Sequence, residues 1–221
     1  MKRIYIKNIN QKELKIDEDN LKYLTKTLRF KGEEEIKVFD GEKEYAAYYE
    51  NKKIIIKNEI KEKEKAFLKI AIAEIQKERL EWIIEKGTEL GVKDFFILKT
   101  KRTQKQYKIE RMNNIIISAC QQSGRISVPT MQQINLLDFL KKENKKEWCY
   151  CSLKESAKQI EQSINGAIIG PEGGWTEEEE KTLNTNYQAI SLNANTLRSE
   201  TAAITALNFI LYAKSTIYLN L

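Results

Sequence analysis

The sequence predicts an α/β fold built on a parallel sheet, preceded by a small, mostly β region. Three observations carry this. From Ala66 onward, apolar runs of strand length alternate with helical patterns, and β-α-β-α order implies a parallel sheet covered by helices. Phe67–Ala73 is a run apolar at every position but Lys69, close to the pattern of a strand buried on both faces. Before Ala66 stand short alternating runs around one helical stripe, and the lysine and glutamate run Lys61–Lys65 separates the two regions. The expected division is therefore 1–65 and 66–221.

In chain order, Lys2–Ile6 alternates like a strand. Asp17–Phe30 opens with acids and asparagine, places Leu21, Leu24 and Leu28 on one helical stripe, and stops at Gly32. Ile36–Asp40, Tyr45–Glu50 and Ile54–Ile60 read as strands, with Asp40-Gly41 as a turn. After the Phe67–Ala73 strand comes a helix over Arg79–Leu90, closed by Gly91. Phe95–Leu98 is a strand and Lys108–Ser123 a helix ending at Gly124. Glu147–Cys151 and Ala167–Ile169 are strands, Thr176–Thr185 a helix, Ala189–Leu192 a strand and Ser199–Lys214 the last helix.

Composition narrows the chemistry. The 221 residues are 41% hydrophobic and 32% charged, too apolar for a disordered chain. There is no histidine, which removes Ser-His-Asp and Cys-His nucleophile systems and an H-E-x-x-H zinc site. Cys120, Cys149 and Cys151 are too few for a zinc site or a disulfide scaffold and read as reduced, buried thiols. No metal is expected. The basic N-terminus lacks the apolar core of a signal peptide, and no run approaches the roughly 20 apolar residues of a membrane span. A soluble, cytoplasmic protein without a membrane partner is expected. Net charge is +3 over residues 1–65, +6 over 66–165 and −3 over 166–221, so the positive field lies in the first two thirds.

Three segments have the placement of a site. In the first, the strand ending at Ile169 enters Gly170-Pro171-Glu172-Gly173-Gly174 and then a helix. Ligands of open α/β sheets bind outside the carboxyl ends of strands. The helix begins Thr176-Glu177-Glu178-Glu179-Glu180, a capping box whose acids already satisfy the helix dipole and repel phosphate. The turn matches neither the Walker A nor the G-x-G-x-x-G pattern. A neutral or cationic ligand such as an adenosine bearing a sulfonium is permitted, and a purely structural turn is the alternative. The second segment is Ser191–Ala202, where Ser199 is a good N-cap and Arg198 is the only arginine of the last third. Arg198 either pairs with Glu200 or holds charge that develops on a substrate. The third is basic: Lys99, Lys101, Arg102, Lys105 and Lys108, then Arg111 and Arg125. It reads as a phosphate-contact surface or as a solvated lysine-rich face.

With these residues in place, the chain resembles the bacterial 16S ribosomal RNA (uracil-N3)-methyltransferases of the SPOUT, or trefoil-knot, superfamily. The resemblance spans nearly the whole chain. It rests on Leu28-Arg29 with Gly32, Phe39-Asp40-Gly41, Lys86-Gly87-Thr88-Glu89-Leu90-Gly91, Arg102-Thr103, Gln122-Ser123-Gly124-Arg125 with Pro129, Gly170–Gly174, and Leu197-Arg198-Ser199-Glu200-Thr201-Ala202. It implies a PUA-like β-barrel over 1–65 that binds RNA, and an α/β methyltransferase domain over 66–221 with a C-terminal trefoil knot. It implies S-adenosylmethionine as cofactor, 16S rRNA within the small ribosomal subunit as partner, and a homodimer. The cofactor would lie against Ile169, Gly170, Pro171, Glu172, Gly173 and Gly174, and against Leu192, Asn193, Ala194, Asn195, Thr196, Leu197 and Arg198. Three positions depart from the family. Asn193 stands where glycine is usual, and asparagine tolerates positive φ better than most residues. Asn195 stands where arginine is usual, and Asn20-Leu21 where histidine is common.

The expected chemistry is methylation of uridine N3. That nitrogen must lose its proton, and Arg198 is placed to stabilise the anion. Glu172 and Glu200 are the carboxylates available as a base, or else structural. Arg29, Lys86, Lys101, Arg102, Gln122 and Arg125 are the candidate RNA contacts. A non-catalytic RNA-binding assembly factor and a SPOUT methyltransferase acting on tRNA are the competing readings.

Overall fold

The computed structural model describes residues 2–16, 20, 21, 24, 34–51, 53–63, 65–103, 107–153 and 160–218, with side chains described through 214. Most of the helix expected over Asp17–Phe30, including Arg29, lies outside the described residues, as does Lys105. Contacts divide the chain into two units, Met1–Lys65 with Ile117–Val128, and Ala66–Ile116 with Pro129–Leu221.

The first unit holds one five-stranded sheet of β1 (Arg3–Tyr5), β2 (Glu13–Lys15), β3 (Glu34–Phe39), β4 (Lys43–Glu50) and β5 (Lys53–Glu62), in the order β1-β3-β4-β5-β2. Only the β1–β3 pair is parallel. β2 was not expected, because Glu13-Leu14-Lys15 offers a single apolar residue and pairs at the sheet edge. Alternating inward residues of three strands, Ile4, Ile36, Val38 and Ile54, form the core with Leu24 and Ala47.

Residues 117–128, which the sequence places within 66–221, group with this unit, and a buried cation explains why. Arg3 is 8% exposed. It pairs with Glu44 at 2.6 Å, donates to the carbonyls of Cys120 (2.6 Å) and Arg125 (3.3 Å), and lies 4.4 Å from the centre of the Phe39 ring. A buried charge requires such partners.

The second unit is built on a six-stranded, all-parallel sheet: β6 (Leu68–Ala73), β7 (Val92–Lys99), β8 (Thr130–Asn135), β9 (Trp148–Cys151), β10 (Gly166–Ile169) and β11 (Gln188–Ile190), ordered β11-β9-β10-β6-β7-β8. Its helices are α1 (Lys77–Glu89), α2 (Ile109–Ser123), α3 (Leu136–Lys142), α4 (Glu177–Asn186) and α5 (Ser199–Tyr218). The boundary between the units falls inside α2. α1 buries Leu80, Ile83, Ile84, Gly87 and Thr88, the spacing of one helical face. Gly91, at φ +95°, ends it. β8 and α3 were not expected. Thr-Met-Gln-Gln-Ile-Asn has no run of apolar residues, and as an edge strand β8 needs none.

Every residue of the central strand β10 is buried, and so is every residue of its neighbour β6 except Lys69. On one face Phe96, Phe139 and Trp148 meet edge-on, with ring centroids 4.9 to 5.6 Å apart. Gly166 lets Trp148 lie on β10, since a Cβ there would sit 2.5 Å from the indole. This packing fixes the carboxyl ends of β9, β10 and β11.

Candidate active site

A cavity of about 560 Å³ opens at those carboxyl ends. Ile169–Glu172 and Gly174 line it together with Ser191–Asn193 and Asn195–Ser199. Cys151, Ser152, Leu153, Trp175, Glu180, Ala202 and Arg79 complete the wall. The two segments singled out from sequence thus meet around one cavity, although they lie about twenty residues apart along the chain.

The turn after β10 is held on several sides. The Gly174 N–H donates to the Pro171 carbonyl at 2.9 Å, and Gly174 has φ +71°. A Cβ on Gly170 would lie 3.0 Å from Nε1 of Trp175, so glycine is what allows the indole to close over the strand end. Arg102 donates through Nη1 to the carbonyls of Gly173 and Gly174. Arg79 donates to Oε1 of Glu172 at 2.5 Å.

The helix that follows begins as expected. Thr176 Oγ1 accepts from the Glu179 N–H, and Glu179 Oε2 accepts from the Thr176 N–H, a reciprocal capping box. Glu179 is also buried, at 6% exposure, and accepts from the Lys101 N–H at 3.0 Å. Burial pushes its carboxyl up. The N–H groups of Lys101 and Thr176, the Thr176 hydroxyl and the Lys101 charge outweigh that and hold it below the usual carboxylate range.

In the second loop, Asn193 does not use positive φ, the property that made it acceptable there. The non-glycine residues at positive φ among those described are Asn8 and Asn51. Instead Asn193 Oδ1 accepts from the Asn195 N–H at 3.0 Å, and Ser191 Oγ donates to the Asn193 carbonyl at 3.4 Å. The asparagine braces the loop through its own side chain. Ser199 Oγ donates at 3.4 Å to the Gly170 carbonyl, joining the start of α5 to the end of β10.

Arg198 is exposed, lines the cavity, and makes no side-chain hydrogen bond or ion pair among the described residues. It does not pair with Glu200. The Glu200 carboxylate faces Arg79, with Oε1 3.7 Å from Nε, while Oε2 is buried without a hydrogen-bond partner among the described residues. Arg79 therefore spans both candidate bases, Glu172 and Glu200. Arg79 was not among the residues singled out from the sequence. Its signal was a cation in the first turn of a helix, where the dipole disfavours positive charge.

The candidate RNA contacts differ in exposure and in their partners. Lys101 is exposed and paired with Glu178. Arg102 is exposed but bound to the Gly173 and Gly174 carbonyls. Lys86 is flanked by Glu85 and Glu89 at 2.7 and 2.8 Å. Arg111 forms a two-pronged pair with Glu81. Gln122 is exposed. Arg125 is buried at 8% exposure, with Nε donating to Ser127 Oγ. None of the three cysteines is in a disulfide. Burial pushes the Cys149 thiol up to about 12 and raises Cys151 as well. Among the described residues no group of side chains is arranged to hold a metal, and no helix is long and apolar enough to cross a membrane.

A family model described as an RNA methyltransferase domain matches residues 61–211. The ribosomal RNA small subunit methyltransferase E of Rickettsia conorii is 32% identical over 93% of each chain. The chain belongs to this RNA methyltransferase family. The Bacillus subtilis protein named ribosomal RNA small subunit methyltransferase E is 33% identical over 61% of each chain. Among solved structures, the Neisseria gonorrhoeae ribosomal RNA small subunit methyltransferase E, bound to S-adenosyl methionine, superposes with a TM-score of 0.85 at 27% identity, covering 96% of this chain and 97% of that one. A Legionella pneumophila structure in complex with the cofactor SAM superposes with a TM-score of 0.83 at 30% identity and the same coverage. The match to the methyltransferase family model contains both segments that wall the cavity and most of α5.

Proposed function

We propose that this chain uses S-adenosylmethionine to methylate N3 of a uridine in 16S ribosomal RNA, within the small ribosomal subunit of the cytoplasm. The cavity carries this reading. Its volume is that of a small-molecule site. Most of its exposed lining is apolar, and the adjoining helix N-terminus bears Glu177–Glu180, so it suits a sulfonium-bearing adenosine better than a phosphate. Relatives of the same family are solved with that cofactor. Ile169–Gly174 and Leu192–Arg198 would hold it. Between these loops we place a trefoil knot, supported by the Ser199 to Gly170 hydrogen bond that brings α5 against the end of β10. The five-stranded N-terminal sheet is assigned as a PUA-like RNA-binding domain. A homodimer is supported by the apolar surface of Trp82, Phe209 and Tyr212, which are 43%, 43% and 77% exposed.

When bound, S-adenosylmethionine supplies an electrophilic methyl group. The remaining work falls to this chain. As uridine N3 gives its proton to solvent, negative charge spreads over N3 and its flanking carbonyls. Arg198, free of protein partners among the described residues, stabilises that charge at the cavity mouth. The loops align donor and acceptor, which lowers the entropic part of the barrier. Glu172 and Glu200, both facing Arg79, serve as anchors rather than bases. Lys86, Lys101 and Gln122, with Arg29, would contact the RNA. Arg102 holds the cofactor turn, and Arg125 is a structural residue.

The test is transfer of labelled methyl from S-adenosylmethionine to small ribosomal subunits taken from cells lacking the gene. Label in the small-subunit RNA is expected, falling steeply with salt because phosphate contacts release counterions. Label in tRNA instead would move the substrate. Absence of both label and cofactor binding would favour an RNA-binding assembly factor.

A further inference from the structure

We propose that Arg79 is a positioning residue for methyl transfer, tying the Gly170–Gly174 turn to the start of α5 through one guanidinium shared by Glu172 and Glu200. The inference rests on the cavity being the cofactor site. Arg79 Nη1 donates to Glu172 Oε1 at 2.5 Å, and Arg79 Nε lies 3.7 Å from Glu200 Oε1. The two carboxylates belong to different walls. Glu172 lies within the turn after β10, and Glu200 is in the first turn of α5, two residues after Arg198. The side chain of Arg79 comes from a third element, α1, and itself lines the cavity.

Three features make this more than a surface ion pair. A cation in the first turn of α1 opposes the helix dipole, so the site gains nothing locally from arginine. The Arg79 and Glu200 side chains are 27% and 19% exposed, and Glu200 Oε2 has no hydrogen-bond partner among the described residues. Among the described residues, the Arg79 guanidinium is the counter-charge that faces that carboxylate. Without it, two carboxylates would face each other across the loop junction, and their repulsion would part the turn from α5 and carry Arg198 away from its place. The planar fork of arginine addresses two carboxylates in a fixed geometry that a lysine ammonium does not reproduce.

The test uses the full chain and S-adenosylmethionine itself, titrated calorimetrically into wild type, Arg79→Lys, Arg79→Met, Glu172→Gln and the double variant Arg79→Met/Glu172→Gln. Arg79→Met is expected to weaken binding about twofold to fivefold, the scale of an ion pair near the surface. Arg79→Lys should fall between wild type and Arg79→Met. The decisive arm is rescue. With the repelling charge removed, the double variant should bind more tightly than Arg79→Met alone. A merely structural role would leave the double variant with the multiplied losses of the two single variants, and that result overturns the proposal. Wild-type affinity in Arg79→Met overturns it too. If Arg79→Met does not fold, Arg79→Lys carries the same comparison. Wild-type protein that fails to bind S-adenosylmethionine would instead remove the cofactor assignment, and this inference with it.

Discussion

Replacing Glu179 by alanine probes how the turn at the site is held. The carboxylate accepts from the Lys101 N–H at 3.0 Å, the Thr176 N–H at 2.9 Å and the Thr176 hydroxyl at 2.9 Å. The bond from the Lys101 N–H to a buried carboxylate contributes about 2 kcal/mol. The capping box adds about 1 kcal/mol. The third bond closes on Thr176 itself and adds little, because that hydroxyl is half-exposed and can turn to water. Glu179→Ala should therefore cost about 3 kcal/mol, or about 6–12 °C in Tm for a domain of this size. Glu179→Gln keeps one acceptor oxygen and should lose roughly half as much. All three tryptophans, Trp82, Trp148 and Trp175, lie in the second unit, so tryptophan fluorescence reports its melting separately from the first. The pH dependence supplies a second check. The folded carboxyl lies below its unfolded value, so its contribution is complete above the unfolded value, about 4.3, and is lost as pH falls through the folded one. The gap in Tm between wild type and Glu179→Ala should then close on acidification. A gap under about 2 °C at pH 7, or one unchanged by acid, would refute the assignment.

Arg198→Ala should lower the rate of transfer by about 10²–10³-fold, the scale of one lost oxyanion donor, with cofactor affinity largely retained. Single-turnover assays beside calorimetric binding separate the two effects. Gly166→Ala places a methyl 2.5 Å from the Trp148 ring. It should destabilise the second unit by about 1–3 kcal/mol, read as a lower urea midpoint. Burial raises the Cys149 thiol from an ordinary value near 9 to about 12. Its stabilising contribution is therefore complete below about 9 and lost as pH rises towards about 12. Between those limits wild type should lose Tm faster than Cys149→Ala, and native Cys149 should resist alkylation that unfolded protein accepts.

Much of the second unit was legible because parallel strands covered on both faces must be apolar runs. Gly166–Ile169, and Leu68–Ala73 apart from Lys69, have that character, and each leads into a helix. The Thr176 to Glu179 capping box was legible for the same local reason, since its partners are three residues apart. Edge strands were not. Glu13–Lys15 and Thr130–Asn135 pair on one side only, and sheet pairing rather than hydrophobic pattern makes them strands. The site was legible as two segments but not as a constellation. Counting charge cannot tell a free cation from a committed one. Lys101 meets Glu178, Arg102 meets Gly173 and Arg79 meets Glu172, partners 71 to 93 positions away. Arg125 reads as a surface cation until the fold buries it. At Asn193 the permissive residue was recognised but its device was not, because a side-chain brace and a positive φ leave the same mark in sequence.

The central claim is that this cavity directs a methyl group to N3 of a uridine in small-subunit ribosomal RNA. The most direct measurement digests that RNA to nucleosides after reaction with isotopically labelled S-adenosylmethionine and identifies the labelled nucleoside by mass spectrometry. The account predicts label in 3-methyluridine from a single position, and its loss with Arg198→Ala. Label on a ribose, on another base or on carbon of uracil would contradict it, because none of those sites develops the N3-centred anion that Arg198 is placed to stabilise.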